Sequence, residues 1–228
     1  MTNNPKRHVP KSASTNKMKL TRSLTRQRGN VEEKIAAALE RLSLVSKSLL
    51  WDAAKKEGLA AKGLSPIQIQ FLLCLLNHLR RQCRVSQLAR EFGLTQATVS
   101  DAVKSLVLKG FLLREPSAED GRSHTLKLTP SGRRLAKKLS DWQSPITEQI
   151  KDFPPDAKIT VMTFLMELIR SLQRSGIIEV ARICFSCGNF QENAHPGSKK
   201  PHHCNLTSTP LAVIDLNIDC PMYEALMT

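Results

Sequence analysis

Acidic side chains are scarce in this 228-residue chain, 20 against 34 lysines and arginines, and the first thirty residues contain none. The formal charge of +14 excludes a broadly acidic surface and favours a polyanionic partner; it bears on association and solubility, not on fold. Long apolar runs are missing too. No stretch approaches the roughly 20 residues that span a bilayer, so no membrane partner is expected. The basic start lacks the apolar core of a secretory signal, which places the protein in the cytoplasm. Also absent are a nucleophile–base pair, a phosphate-cradling glycine loop and an HExxH zinc motif, so the chain does not read as an enzyme. Asp120 and His124 lie near each other, but too close to a flexible loop tip to form a credible acid–base pair. Without an export signal, the six cysteines are expected as reduced thiols or metal ligands, not disulfides.

What the chain does contain begins with a polar, basic segment. Residues 1–30 hold Lys6, Arg7, Lys11, Lys17, Lys19, Arg22, Arg26 and Arg28, two prolines and almost no large apolar side chain. Such a segment buries too little surface to offset its ordering entropy, and disorder is expected. It is either an arm that tracks phosphates without reading sequence or a solvated tail; an organelle transit peptide has the same composition. From Val31 to Lys56, Ile35, Leu39, Leu42, Val45 and Leu49 recur at helical steps, ending near Gly58. Ser65-Pro66-Ile67-Gln68 then has capping-box spacing with proline in the first turn. The apolar run Phe71 to Leu76 that follows belongs inside a core, with Cys74 packed as a small hydrophobe. Cys83 stands among Arg80, Arg81 and Arg84, which would lower its pKa; it is redox-sensitive or a spectator.

The most informative stretch runs from Val85 to Leu128. Ser86 is a candidate N-cap for a short helix bearing Leu88, Ala89 and Phe92 on one face. Gly93 stands where a left-handed C-cap is needed. Leu94 plugs the turn, and Thr95 caps a second helix with Val99, Ala102, Val103 and Leu106 inward. Gln96, Ala97, Thr98, Ser100, Asp101 and Lys104 then face outward, mostly small or hydrogen-bonding side chains. A helix-turn-helix presents such residues to base edges in the major groove, whereas an ordinary helical hairpin would simply solvate them. Two strand-like runs, Phe111–Arg114 and Thr125–Leu128, flank a charged loop with Asp120-Gly121-Arg122. Leu128-Thr129-Pro130-Ser131-Gly132 completes the pattern.

In that order of elements, residues 31–175 resemble the winged-helix domain of the MarR family of transcription regulators. The resemblance implies a homodimer on double-stranded DNA, with two recognition helices in successive major grooves and two wings on the flanking backbone or minor groove. By position, Thr95, Gln96, Ala97, Thr98, Ser100 and Lys104, with Ser86 on the preceding helix, would meet DNA. Arg122 would be the wing-tip contact and Asp120 its orienting partner. Many proteins of this family also bind small aromatic acids between wing and dimer helices, but no residue here identifies such an effector.

Beyond the wing, Thr129 and Pro130 start a helix with Leu135, Leu139, Trp142, Ile146 and Ile150 on one stripe, kinked or interrupted at Pro145. Pro154-Pro155-Asp156 starts another, with Ile159, Met162, Leu165, Met166, Ile169 and Leu172 inward. These surplus apolar faces call for a partner, most economically a second copy across a two-fold axis. Gly176 closes the last helix.

Residues 176–228 differ in composition, with Cys184, Cys187, Cys204 and Cys220 falling within 37 residues. So short and polar a segment points to a metal-held module; four free thiols on a loose tail is the plainer reading. Structural zinc usually takes two close ligand pairs, and here only one close cysteine pair exists. The C-x-x-C-x-x-F start, a third cysteine before Asn-Leu and a fourth beyond a hydrophobic stretch resemble high-potential iron–sulfur proteins. That implies a [4Fe-4S] cluster, with zinc as the alternative. His195, His202 and His203 would be solvated bystanders or donors to sulfur.

The expectation is a mainly α protein, an α+β winged helix-turn-helix with long dimerisation helices and a small cysteine-rich module. Its domains are a basic arm (1–30), the winged-helix and dimerisation domain (31–175) and the metal-binding tail (176–228). The function expected is a nucleoid-associated, sequence-specific DNA-binding regulator, a repressor, acting as a homodimer and responsive to redox or metal state. The alternatives are a DNA-associated scaffold or protein-interaction module with a zinc tail, and an iron–sulfur electron carrier.

Overall fold

The computed structural model describes residues 30–58, 63–77, 83–116 and 124–225. The chain divides into two compact units, Met1–Leu49 and Leu50–Thr228. Helix α1 (Val31–Lys56) begins in the first and ends in the second. In the first unit its stripe is half-buried at Ile35, Leu39 and Leu49 and bare at Leu42 and Val45, which are 55% and 41% exposed.

In the second unit the helices form where caps and apolar spacing dictate. Helix α2 (Pro66–Asn77) opens on the expected capping box: Ser65 N–H donates to Gln68 Oε1 at 3.0 Å, and Gln68 N–H to Ser65 Oγ at 3.4 Å. Ile69, Phe71, Leu72 and Leu75 are buried, as a helix apolar on most faces requires. Around it lie α3 (Val85–Phe92), α4 (Gln96–Leu108), strands β1 (Leu112–Pro116) and β2 (His124–Leu128), and α5 (Pro130–Leu139). Strands β1 and β2 pair antiparallel from Leu112 opposite Leu128 to Pro116 opposite His124. Leu112, Leu126 and Leu128 turn into the core beside Leu88, Val99, Val103 and Leu106, while Phe71 and Phe92 meet edge-on at 5.0 Å. Each such fully buried side chain is worth about 1.5–3 kcal/mol over its exposed state.

Cys83 is the spectator of the two alternatives, and the expected fall in its pKa is reversed. It lies 3% exposed under the sheet, and its carbonyl accepts the Leu126 N–H at 2.7 Å, extending the ladder by one bridge. Burial pushes its thiol up to about 11, Glu91 adds to the rise, and Arg182 only partly offsets it. The basic connector therefore does not make it a reactive thiol.

Helix α5 is capped as read from the sequence: Thr129 Oγ1 accepts the Gly132 N–H at 2.9 Å, with Pro130 in the first turn. Its stripe does not continue as one kinked helix. The chain turns at residues 140–143 and starts again as α6 (Ser144–Lys151), with Pro145 in the new first turn, where a missing N–H costs nothing. Helix α7 (Pro155–Arg174) follows, closed by Gly176 at φ 73°.

Only Met166 of the face assigned to dimer contacts is fully buried, and its cover is the chain's own C-terminal module. Met162, Met166 and Ile169 pack with Ile183, Phe185, Phe190, Leu211 and Leu216 in a second core. The module holds a three-stranded antiparallel sheet of β3 (Phe190–Gln191), β4 (His202–Cys204) and β5 (Thr209–Leu211), with single helical turns at Cys184–Ser186 and Val213–Asp215. The Tyr223 hydroxyl donates to the Ser186 carbonyl at 2.9 Å, and Gly188 N–H to Glu224 O at 2.8 Å, so the last residues close the module. No helix among the described residues is long and apolar enough to cross a membrane.

Candidate functional site

The outward row of the helix-turn-helix comes from two local devices. Gly93, at φ 60°, reverses the chain after α3, and its left-handed backbone lets Leu94 N–H reach the Ala89 carbonyl at 2.9 Å. Thr95, in extended backbone, accepts the Thr98 N–H on its hydroxyl at 3.2 Å and so starts α4. Val99, Val103 and Leu106 are fully buried, which fixes the rotation of α4 about its axis. Thr95, Gln96, Ala97, Thr98 and Lys104 are exposed and Ser100 is half-buried, all but Lys104 toward the helix N-terminal half. Lys104 meets Asp101 at 3.2 Å, an exposed pair one turn apart that leaves the ammonium accessible to a phosphate.

Ser86 is not a cap. Helix α3 starts one residue earlier, and Arg84 in extended backbone takes the cap position, its N–H held by Gln87 Oε1 at 2.9 Å. A glutamine three residues on outcompeted the serine signal. Ser86 instead lies in the first turn of α3, on the wall of a groove of about 710 Å³ that also involves Arg90, Gln96 and the segment after α7. Asp120 and Arg122, the expected wing-tip residues, lie outside the described residues, as does the basic arm up to residue 29. The wing's stem is described: the two strand-like runs expected at Phe111–Arg114 and Thr125–Leu128 form the antiparallel pair Leu112–Pro116 and His124–Leu128.

Three comparisons agree with this geometry. Residues 62–123 match the model of the MarR family. The structure is similar to a MarR transcriptional regulator from Methanosarcina mazei (TM-score 0.52, 19% identity, 62% of this chain and 98% of that one). The fold is the MarR-type winged helix. It is equally similar to the S. aureus MepR–DNA complex, at TM-score 0.50 and 20% identity over 60% of this chain and 97% of that one. In sequence, the chain is 26% identical over 132 residues to the HTH-type transcriptional repressor YetL of Bacillus subtilis, covering 58% of this chain and 79% of that protein.

The four-cysteine module lies beyond the matched residues 62–123. Cys184, Cys187, Cys204 and Cys220 line one cavity of about 290 Å³, together with apolar side chains that include Phe190 and Leu211. Among the described residues, no three His, Cys, Asp or Glu side chains converge on a point as one metal ion requires. A mononuclear zinc site needs every sulfur about 2.3 Å from a single point, whereas a cubane cluster fills a cavity and holds its thiolates apart. Four thiols around one cavity are a donor set that either an iron–sulfur cluster or a zinc ion accepts.

Backbone and hydroxyl donors aim at the sulfurs. Asn217 N–H reaches Cys184 Sγ at 3.1 Å, partly offsetting the burial that raises this thiol. Burial also pushes Cys204 up, but hydrogen bonds from the Thr207 hydroxyl and from the Thr207 and Leu206 N–H groups outweigh it and hold Cys204 below the ordinary thiol range. Of the three histidines, His202 is no solvated bystander: it is buried, 5.3 Å from Phe190 and 6.3 Å from Phe185, and accepts the Asn193 N–H at 3.4 Å. His195 and His203 share a 3.1 Å ring-nitrogen contact. Asn217 and Thr207 carry no sequence signal as sulfur partners, because their roles depend on turns that bring distant residues together.

Proposed function

We propose that the protein is a sequence-specific DNA-binding transcription regulator, a repressor acting as a homodimer, whose operator affinity responds to the state of its four-cysteine module. The observation that carries this reading is the capped, solvent-facing first half of α4, whose rotation is fixed by three fully buried residues. The net charge of +14 supports a polyanionic partner. Similarity to a relative named a repressor supports the sign of regulation. For the dimer, support comes from apolar side chains left bare beside α6 and on α7, with Phe153 61%, Val161 56% and Phe164 45% exposed. In this reading Gln96, Thr98, Ser100 and Lys104 meet base edges and phosphates, Thr95 and Ala97 line the approach, and Arg122 with Asp120 forms the wing contact. The groove beside Ser86 is where a small effector would bind.

The cysteine cavity supports a [4Fe-4S] cluster held by Cys184, Cys187, Cys204 and Cys220. Such a cluster would supply one-electron redox chemistry, while the chain's own contribution is four thiolates and the N–H donors directed at them. Anaerobic purification with iron and sulfide analysis tests this part; zinc in stoichiometric amount would refute it. For DNA, titrate the wild-type chain with the duplex upstream of its own gene and with random duplex at physiological salt. Specific binding should exceed non-specific binding by about 10³-fold or more. Equal affinity for both, or no loss in a Gln96→Ala/Arg122→Ala double variant, would refute sequence-specific regulation.

A further inference from the structure

We infer that Arg182 is a positioning residue that ties the four-cysteine module directly to the helix-turn-helix, so that closure of the loop carrying Cys220 sets the placement of α3. The consequence for DNA affinity rests on the regulator reading above; the physical link does not.

Arg182 faces both ways. Its guanidinium donates to Glu91 Oε2 on α3 at 2.7 Å, and the two side chains are only 10% and 15% exposed. Its main-chain carbonyl accepts the N–H of Cys220 at 2.9 Å. The chain then runs through Ile183, which is wholly buried in the module core, to Cys184, the first of the four cysteines. One residue therefore holds the DNA-reading half by its side chain and the last cysteine by its backbone. A second contact lies alongside: Asn77 at the end of α2 meets Asp219, the neighbour of Cys220, at 3.5 Å. On the other side, Glu91 Oε1 lies 3.6 Å from Cys74 Sγ, inside the winged-helix core.

The backbone at this point favours a two-position device. Arg182 has φ 45°, in the left-handed region that a residue with a long side chain adopts only when its surroundings impose it. The Cys220 N–H bond and the Glu91 ion pair are two such constraints. Freeing Cys220 removes the first, and relaxation of φ then swings the guanidinium off Glu91. Taking the Arg182 partner from this nearly buried carboxylate destabilises the seat of α3. Helix α3 packs directly on α4, so the displacement reaches the row of residues proposed to read DNA.

The test uses the full chain in four forms: wild type, Cys220→Pro, which deletes the N–H that Arg182 accepts, Arg182→Gln and the two combined. Amide hydrogen exchange of α3 is the direct readout. Cys220→Pro and Arg182→Gln should each speed exchange across Arg84 to Phe92 at least tenfold, and the combination should add nothing, because both break one link. A second variant guards against simple unfolding. Glu91→Leu with Arg182→Met replaces the pair by apolar groups, keeps the packing, and should leave α3 protected whether or not the Cys220 N–H is present. Operator affinity should fall at least tenfold on Cys220→Pro in the wild type and not at all in the apolar pair. Unchanged α3 exchange in Cys220→Pro, or effects that multiply in the combination, would overturn the link. A wild type that prefers no duplex would sink the regulator reading while the exchange data still decide the link.

Discussion

Gly132→Ala should destabilise the protein, although the general rule for a helix predicts the opposite sign. Replacing glycine by alanine within a helix ordinarily stabilises by about 0.5–1 kcal/mol. Gly132 is buried in the first turn of α5, however, and a Cβ there would sit 2.1 Å from the Phe111 carbonyl oxygen and 3.0 Å from its carbon. Both neighbours are backbone, so nothing can rotate aside. The main chain must give by nearly an ångström where Thr129 is anchored, through its N–H to Phe111 O at 3.1 Å and its hydroxyl to Gly110 O at 2.8 Å. Forcing an extra carbon into such a site costs about 1–3 kcal/mol, and each strained hydrogen bond about 1 kcal/mol more. The net is a loss of about 2–4 kcal/mol, or roughly 5–15 °C in Tm for a chain of this size. Differential scanning calorimetry of the variant, with the exposed Ser131→Ala as control, gives the answer. A Tm equal to or above wild type would refute the close packing of α5 on the base of the wing.

Thr95→Ala should cost about 1 kcal/mol by loss of the α4 cap, readable as a lower urea midpoint with an unchanged slope, whereas Thr95→Asp should retain most of it. Lys104→Ala should weaken specific and random duplex alike and flatten the log K against log salt plot by about 0.9; an effect on the operator alone would assign Lys104 to base reading. In the metal-free chain, Cys204 should alkylate at lower pH than an ordinary thiol and Cys184 at higher pH. The sign follows from the hydrogen bonds that stabilise the Cys204 thiolate against the burial that disfavours the Cys184 one. Mass-spectrometric labelling between pH 6 and 9 reads the order, and Cys184 reacting first would contradict it. Cys83, pushed up to about 11, should stay unlabelled through that range until the chain is unfolded.

The winged helix was legible because each of its boundaries is written locally. Ser65 with Gln68, Gly93, Thr95 and Thr129 with Pro130 are short-range devices whose partners lie within four residues, and the structure uses every one. Ser86 failed for a local reason as well, since Gln87 can hold the Arg84 N–H and move the helix start back. The pKa expected of Cys83 had the wrong direction for a non-local reason: its neighbours in sequence are basic, but its neighbours in space are the sheet and the core. The face of α7 shows the limit most plainly. Periodicity revealed that Met162, Met166 and Ile169 need cover, but not that residues 183–216 of the same chain would supply much of it. Arg182 and Glu91 are 91 positions apart, so no spacing rule joins them.

That arrangement of α7 has a consequence for biosynthesis. The helix leaves the ribosome before the module that covers Met166, so for the time needed to make some fifty further residues its sticky side waits exposed. Maturation of the newborn chain thus has a last step, in which the cysteine segment folds back over α7. A variant that cannot close that segment should show itself first as lost yield and clumping.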